Sequence, residues 1–290
     1  TRSTTVTGVQ TCALPISTHP EVFRACGELL QEAGYKNLKY GDSPGNPLQN
    51  TENISKECGL REPAEELGIP TGDFEHGREV EYPEGRIERR FILCNEVAAL
   101  TDNGGTVPGG MVNLCKMKTH QLERITGAVK NTLGCVSGMN KAAFHAKHPT
   151  AETFARMLAD LNGLVVPRLH IMDGIVAMEG NGPGSGDPTP MNVILASTDP
   201  VALDAAFCHL IHLDPELVPT HRECVISCVG CGNDNEIAVI VTNLPMIPDG
   251  MEMTLDEMAV KCGNKKFNVQ RSPEYMGQRS EEHTSELQSR

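Results

Sequence analysis

The sequence predicts an α/β fold: a mostly parallel sheet with helices on both faces. Two patterns carry this reading. Segments whose apolar residues recur at helical spacing alternate with short apolar segments of strand length, the signature of βα units. One of the latter, "MNVILAS" (191–197), is nearly unbroken, as in a strand buried on both faces.

The elements follow in order. "THPEVFRACGELLQEAG" opens with Thr18 and Glu21 in capping-box spacing. Val22, Phe23, Cys26, Leu29, Leu30 and Ala33 fall on one helical face, and Gly34 stops it. "NLKYGDSPG" reads as a short strand running into a turn, and "MVNLC" (111–115) as a strand. "TFARMLADLNGLVV" places Phe154, Met157, Leu158, Leu161 and Val165 on one helical face. "RLHIMDG" (168–174) is a strand. Asp199-Pro200 supplies a cap and first turn for a helix burying Leu203, Ala206, Phe207, Leu210 and Ile211. "EIAVIVT" (236–242) is the last clear strand. Residues 44–110 are less patterned and end in the glycine cluster "NGGTVPGG".

Both ends, "VTGVQTCALPI" (6–16) and "RSEEHTSELQS" (279–289), look like the translated opposite strands of one sequencing-library adapter. Residues 1–16 and 279–290 are therefore set aside as tails, leaving a single domain over 17–278 whose native termini lie elsewhere. The chain carries a net charge of −13 and a pI near 5.2. That argues against nucleic-acid or anionic-membrane partners, which need a basic face. No apolar run reaches the ~20 residues of a membrane span. With no Trp and 4% aromatics, base-stacking platforms are not expected. Cysteines scattered singly through apolar segments read as buried thiols of a cytoplasmic, reducing setting.

Three polar clusters follow predicted strands, where ligands collect in α/β sheets. The first is "KMKTHQLERITGAVKNTLG" (116–134), with Lys116, Lys118, Arg124, Lys130 and His120 against a single acid, Glu123. Such cations, beside the helix start suggested by Thr126 and Gly127, suit a small anionic ligand; a solvated basic surface is the plainer alternative. The second is "DGIVAMEGNGPGSGD" (173–187), in which Asp173 ends a strand and Glu179, Asn181 and Asp187 punctuate five glycines. Its carboxylates suit a divalent metal or a general base. The third is "STDPVALD" (197–204), where Asp199 reads as a helix cap before it reads as a ligand.

"HAKH" (145–148) sets two histidines three apart, a metal pair or surface residues. "CVISCVGC" (224–231) gives Cys224, Cys228 and Cys231 the spacing that holds a [4Fe–4S] cluster in radical-SAM enzymes. The chain after it is too short for their barrel, which leaves plain cluster binding with Cys262 as fourth ligand, or unrelated helix cysteines.

The ordered run "NLCKMKTH", "TGAVKNTLG", "DGIVAMEGNGP", "STDPVALD" resembles the domain-of-unknown-function 362 family of bacteria and archaea over about residues 18–242. The resemblance implies motif positions at Lys116, Lys118, Thr119, His120, Gly127, Lys130, Asn131, Asp173, Glu179, Gly180, Asn181, Gly182, Pro183, Gly186, Asp199, Pro200 and Asp204. It also implies association with iron–sulphur proteins, since some members carry a ferredoxin-like module after this domain.

The expectation is a cytoplasmic, iron–sulphur-linked redox protein binding a small anionic ligand, with a ferredoxin-type partner. Lys116, Lys118, Thr119, Lys130, Asn131, Gly180, Asn181 and Gly182 bind the ligand. His120 transfers a proton or contacts a metal, and Asp173, Glu179 and Asp204 position a cation or serve as base. Asp204, Cys224, Cys228 and Cys231 are metal candidates, for a divalent ion or an iron–sulphur cluster that a C-terminal module could instead hold. The rivals are a non-enzymatic electron-transfer partner and a ligand sensor.

Overall fold

The computed structural model describes residues 16–43, 50–101, 109–242 and 249–262, with Phe267 and Val269. The tails at 1–15 and 270–290 and most of the glycine cluster lie outside the described residues. Helix α1 (Pro20–Glu32) precedes two short helices, α2 (Thr51–Glu57) and α3 (Arg61–Leu67). A hairpin of β1 (Gly77–Glu81) and β2 (Arg90–Cys94) leads into α4 (Asn95–Thr101). Then come β3 (Val112–His120), β4 (Arg124–Thr126), α5 (Ala128–Asn131), α6 (Asn140–Lys147) and α7 (Ala151–Val165). The chain continues through β5 (Leu169–Glu179), β6 (Asp187–Ser197), α8 (Pro200–Leu210), α9 (Pro219–Ile226), β7 (Val239–Val241), β8 (Met251–Met253) and α10 (Leu255–Cys262).

The central sheet runs β4-β3-β5-β6, and it corrects the expectation of a mostly parallel arrangement. Only β3 and β5 run parallel; β4 and β6 are antiparallel to their neighbours. Connection length is the reason. A parallel pair needs a crossover of a dozen or more residues, and the path from β3 to β5 has room for three helices. The links 121–123 and 180–186 are too short for anything but a return.

Alternate residues of β3 serve two cores, because side chains of a strand alternate between faces. Cys115 and Met117 pack with Met172, Leu203, Phe207 and Met258. Leu114 packs with Phe23, Ala64 and Ile69 of the α1–α3 side. A third cluster joins Phe91, Leu93, Val129, Phe144, Phe154, Leu158 and Cys224.

The α7 and α8 faces read from sequence are buried: Phe154, Met157, Leu158, Leu161, Val165, Leu203, Ala206, Phe207, Leu210 and Ile211. Two details of α1 differ. His19, not Thr18, caps it, with Nδ1 accepting from Glu21 N at 3.1 Å. Leu29 is 64% exposed, because only Val22, Phe23, Cys26 and Gly27 face the packed side. Of "NLKYGDSPG", the described residues 37–43 form one isolated bridge, Tyr40 to Thr71, rather than a strand. β6 is not buried on both faces. Among the described residues it pairs only with β5, and Ile194 is 54% exposed.

Candidate functional site

The basic island does not follow a strand; much of it is one. β3 continues through His120, so Lys116, Lys118 and His120, two residues apart, share one face of the sheet. Their fates then diverge. Lys116 is 2% exposed and its Nζ donates to Asp173 Oδ2 at 2.6 Å, the two residues lying opposite each other across the β3/β5 pair. Asp173 Oδ2 also accepts from His19 N at 2.7 Å, and Oδ1 from Ile175 N at 2.9 Å. Burial lowers the Lys116 pKa and the aspartate pulls it back up. This is a closed ion pair fastening the start of α1 to the sheet. Asp173, expected to transfer protons, is the acid of this pair.

Lys118 and His120 lie further along, beside Lys130 of α5. The half-buried Lys118 donates Nζ to the Ile16 carbonyl at 2.9 Å. Lys130 is 9% exposed, and its Nζ stands 5.8 Å from the Phe154 ring centroid. His145 of α6 stacks on that same ring at 4.2 Å. Burial lowers both lysines to about 8; the Asp42 carboxyl pulls Lys118 back up and Glu123 does so for Lys130, which Lys118 depresses by repulsion. His120 is driven down to about 2, chiefly by burial, then by the fields of Lys130, His145 and Lys118. Its Nδ1 accepts from Leu122 N at 3.2 Å and Glu123 N at 3.1 Å. Nδ1 therefore carries no proton, and the neutral ring holds its hydrogen on Nε2 as a donor.

The glycine-rich stretch is the β5–β6 hairpin, since β5 extends to Glu179 rather than ending at Asp173. Thr119 Oγ1 donates to the Gly180 carbonyl at 3.1 Å, and Asn181 Oδ1 accepts from Gln121 Nε2 at 2.7 Å. A Cβ on Gly182 would stand 2.0 Å from the Thr119 carbonyl oxygen, so only glycine lets the hairpin lie on the end of β3. Glu179 Oε1 accepts from Thr189 Oγ1 at 3.1 Å. It lies two residues from Ala177, which packs with Met117 on the α8 side, the face opposite Lys118. Asn131 Nδ2 donates to Asn113 Oδ1 at 2.7 Å and bridges α5 to β3.

The metal candidates do not assemble. Asp204 is 2% exposed and accepts from Ala128 N at 2.6 Å and Val129 N at 3.1 Å, capping α5 from across the fold. Burial raises its pKa to about 7 against those two bonds. Gly127 is needed there, because a Cβ would come 2.0 Å from Asp204 Oδ1. Asp199 caps α8, as its sequence context suggests. Cys224 is fully buried in the core, Cys228 is exposed and Cys231 half-buried. Among the described residues no group of three or more His, Cys, Asp or Glu is arranged to hold a metal ion. Cys224 lies within α9, whereas Cys228 and Cys231 lie in the turns that follow it; the Cys262 side chain lies outside the described atoms. His148 also leaves its expected partner: its Nε2 meets Glu88 Oε2 at 3.2 Å, whereas His145 turns to Phe154.

Two members of this neighbourhood are not singled out by the sequence. His145 reads there only as a metal partner of His148. Glu123, the sole acid of the basic island, is 0% exposed, and neither carboxyl oxygen has a hydrogen-bond partner among the described residues. Its isolation among cations is the available signal.

Fold and site together define an α/β protein with a half-buried lysine and a buried one where the central parallel strand meets a short helix. The chain belongs to the family described as domain of unknown function (DUF362), whose model matches residues 9–209. It is 35% identical over 204 residues to a protein of Synechocystis sp. named thylakoid-associated. That match covers 70% of this chain and 60% of the relative, so the chain spans less than two thirds of the relative's length. No solved structure matches the chain. None of the described helices is long and apolar enough to cross a membrane.

Proposed function

We propose that the chain binds a small oxyanion at the end of β3, with Lys118 and Lys130 supplying charge and His120 a neutral N–H donor. One observation carries this reading. Lys130 is nine-tenths buried, yet no carboxylate is in ion-pair contact with it among the described residues. Burying an ammonium without a counter-charge is costly, and a bound anion removes that cost. Lys116, by contrast, has its own aspartate and no charge to spare. Thr119, Gly180, Asn181 and Gly182 shape the hairpin beside the site. Asn131 and Asp204 hold the short helix that carries Lys130.

A cytoplasmic, reducing setting belongs to the same reading, supported by nine free cysteines among the described residues. Among the described residues, Cys224, Cys228 and Cys231 offer no convergent donor set for an iron–sulphur cluster.

The test is thermal unfolding at low ionic strength with sulfate or inorganic phosphate, against chloride of equal ionic strength. At a hundredfold excess over Kd, binding stabilises by about 2.7 kcal/mol, a shift of several degrees. Lys130→Met, which keeps the bulk and removes the charge, abolishes the shift without lowering the unliganded Tm. Absence of any anion-specific shift in the unmodified protein overturns the proposal.

A further inference from the structure

Glu123 and Asp173 are both fully buried acids near lysines, and they are built in opposite ways. Asp173 receives an ammonium and two backbone N–H groups. Glu123 receives nothing: both oxygens are buried and without a hydrogen-bond partner among the described residues. A carboxylate left so would bear an uncompensated charge in a dry interior, a state proteins avoid by keeping the proton. Lys130 is the charged group that acts on Glu123, and it too lacks an ion-pair partner among the described residues. Had Glu123 ionised and paired with it, the site would have no net charge on Lys130 to offer, as at Lys116.

Resting on the anion-binding reading, we propose that Glu123 is held as a neutral carboxylic acid so that the charge of Lys130 remains available to an oxyanion ligand. Glu123 is thus a positioning residue for charge. It fills the space beside Lys130 with a polar group of zero charge, and its backbone N–H donates to His120 Nδ1, fixing the tautomer that presents Nε2–H. A carboxyl kept as the acid by an apolar site is an established way to build an oxyanion site that keeps its polarity without internal neutralisation. The direction of the Glu123 pKa, pushed well up by burial, agrees with this. The ligand class narrows accordingly to oxyanions of sulfate or phosphate type, which match two lysines and a neutral donor.

The experiment has two arms on the full chain at neutral pH. In the infrared, ¹³C-labelled glutamate separates a protonated glutamic-acid carbonyl band from any band of Asp204, and Glu123→Gln loses that glutamate band. In calorimetric titration with sulfate, Glu123→Gln leaves affinity unchanged within about twofold, since one neutral group replaces another. If Glu123 were ionised and paired with Lys130, the glutamate band would be missing and Glu123→Gln would strengthen sulfate binding by about tenfold or more. Either result overturns the proposal. If sulfate fails to bind the unmodified protein, the anion reading fails by itself, and the infrared arm still decides the state of Glu123. A Glu123→Gln protein that does not fold is replaced by isotope editing: ¹³C-labelled glutamate shifts the same band in the unmodified chain.

Discussion

Asp204 sets two opposing effects against each other, and asparagine at that position separates them. The carboxylate caps α5 through two backbone N–H groups, at 2.6 and 3.1 Å, and such bonds favour the charged form. Its complete burial favours the neutral form, and burial wins, raising the pKa from 3.8 to about 7. Because the folded value lies above the unfolded one, the folded chain holds an extra proton between about pH 4 and pH 7. The stability Asp204 contributes is therefore full below about pH 4, falls as pH rises through that window, and is level above about 7. A shift of about three units at 1.36 kcal/mol each amounts to about 4 kcal/mol. The asparagine side chain of Asp204→Asn cannot titrate. The stability of the unmodified protein relative to that variant therefore falls by about the same amount across the window, whatever their constant offset. Urea unfolding followed by circular dichroism, at about pH 4.5, 5.5, 6.5 and 7.5, measures the difference directly. A difference that stays flat, or that grows with pH, would mean that the two N–H bonds outweigh burial and would refute the reasoning.

Lys116→Met leaves Asp173 buried with its backbone bonds but no cation. It is expected to cost about 3–5 kcal/mol in urea unfolding, whereas a surface ion pair would cost under about 1. A loss in the smaller range would show that the pair is solvated rather than closed. For the thiols, anaerobic incubation with iron and sulphide is expected to give no visible cluster absorbance, because Cys224 sits in the core apart from Cys228 and Cys231. A cluster that forms and is lost in Cys228→Ser reverses that conclusion.

The helices with strong apolar periodicity, α7 and α8, are legible with their buried faces, because a 3.6-residue repeat records which side meets the core. Strand direction is not. Apolar content looks the same in a parallel and an antiparallel strand, and only the seven-residue link 180–186 reveals that β6 returns beside β5. The lysine motif is visible as a cluster, but the alternation of β3 decides its meaning. Lys116 and Lys118 look equivalent in sequence, and the residue opposite each in β5 makes one a paired core charge and the other a member of the site. Asp173 illustrates the same limit. A strand-end acid before glycine suggests chemistry, whereas the strand runs on to Glu179 and the acid bonds to Lys116. The region 44–110 stays opaque because its elements are short, with five- to seven-residue strands and helices that leave too few turns for a period to register.

The buried cysteines give this chain a chemical clock for its own opening. Cys115 and Cys208 belong to the core beneath α8, while Cys94, Cys135 and Cys224 belong to the core around Phe154. Burial also pushes each of these thiols up, so none reacts while its core stays closed. Cys228, exposed on the surface, marks the zero of the scale. Alkylating the native chain and mapping which set is captured first would therefore rank the two cores by their local opening, without adding any foreign probe.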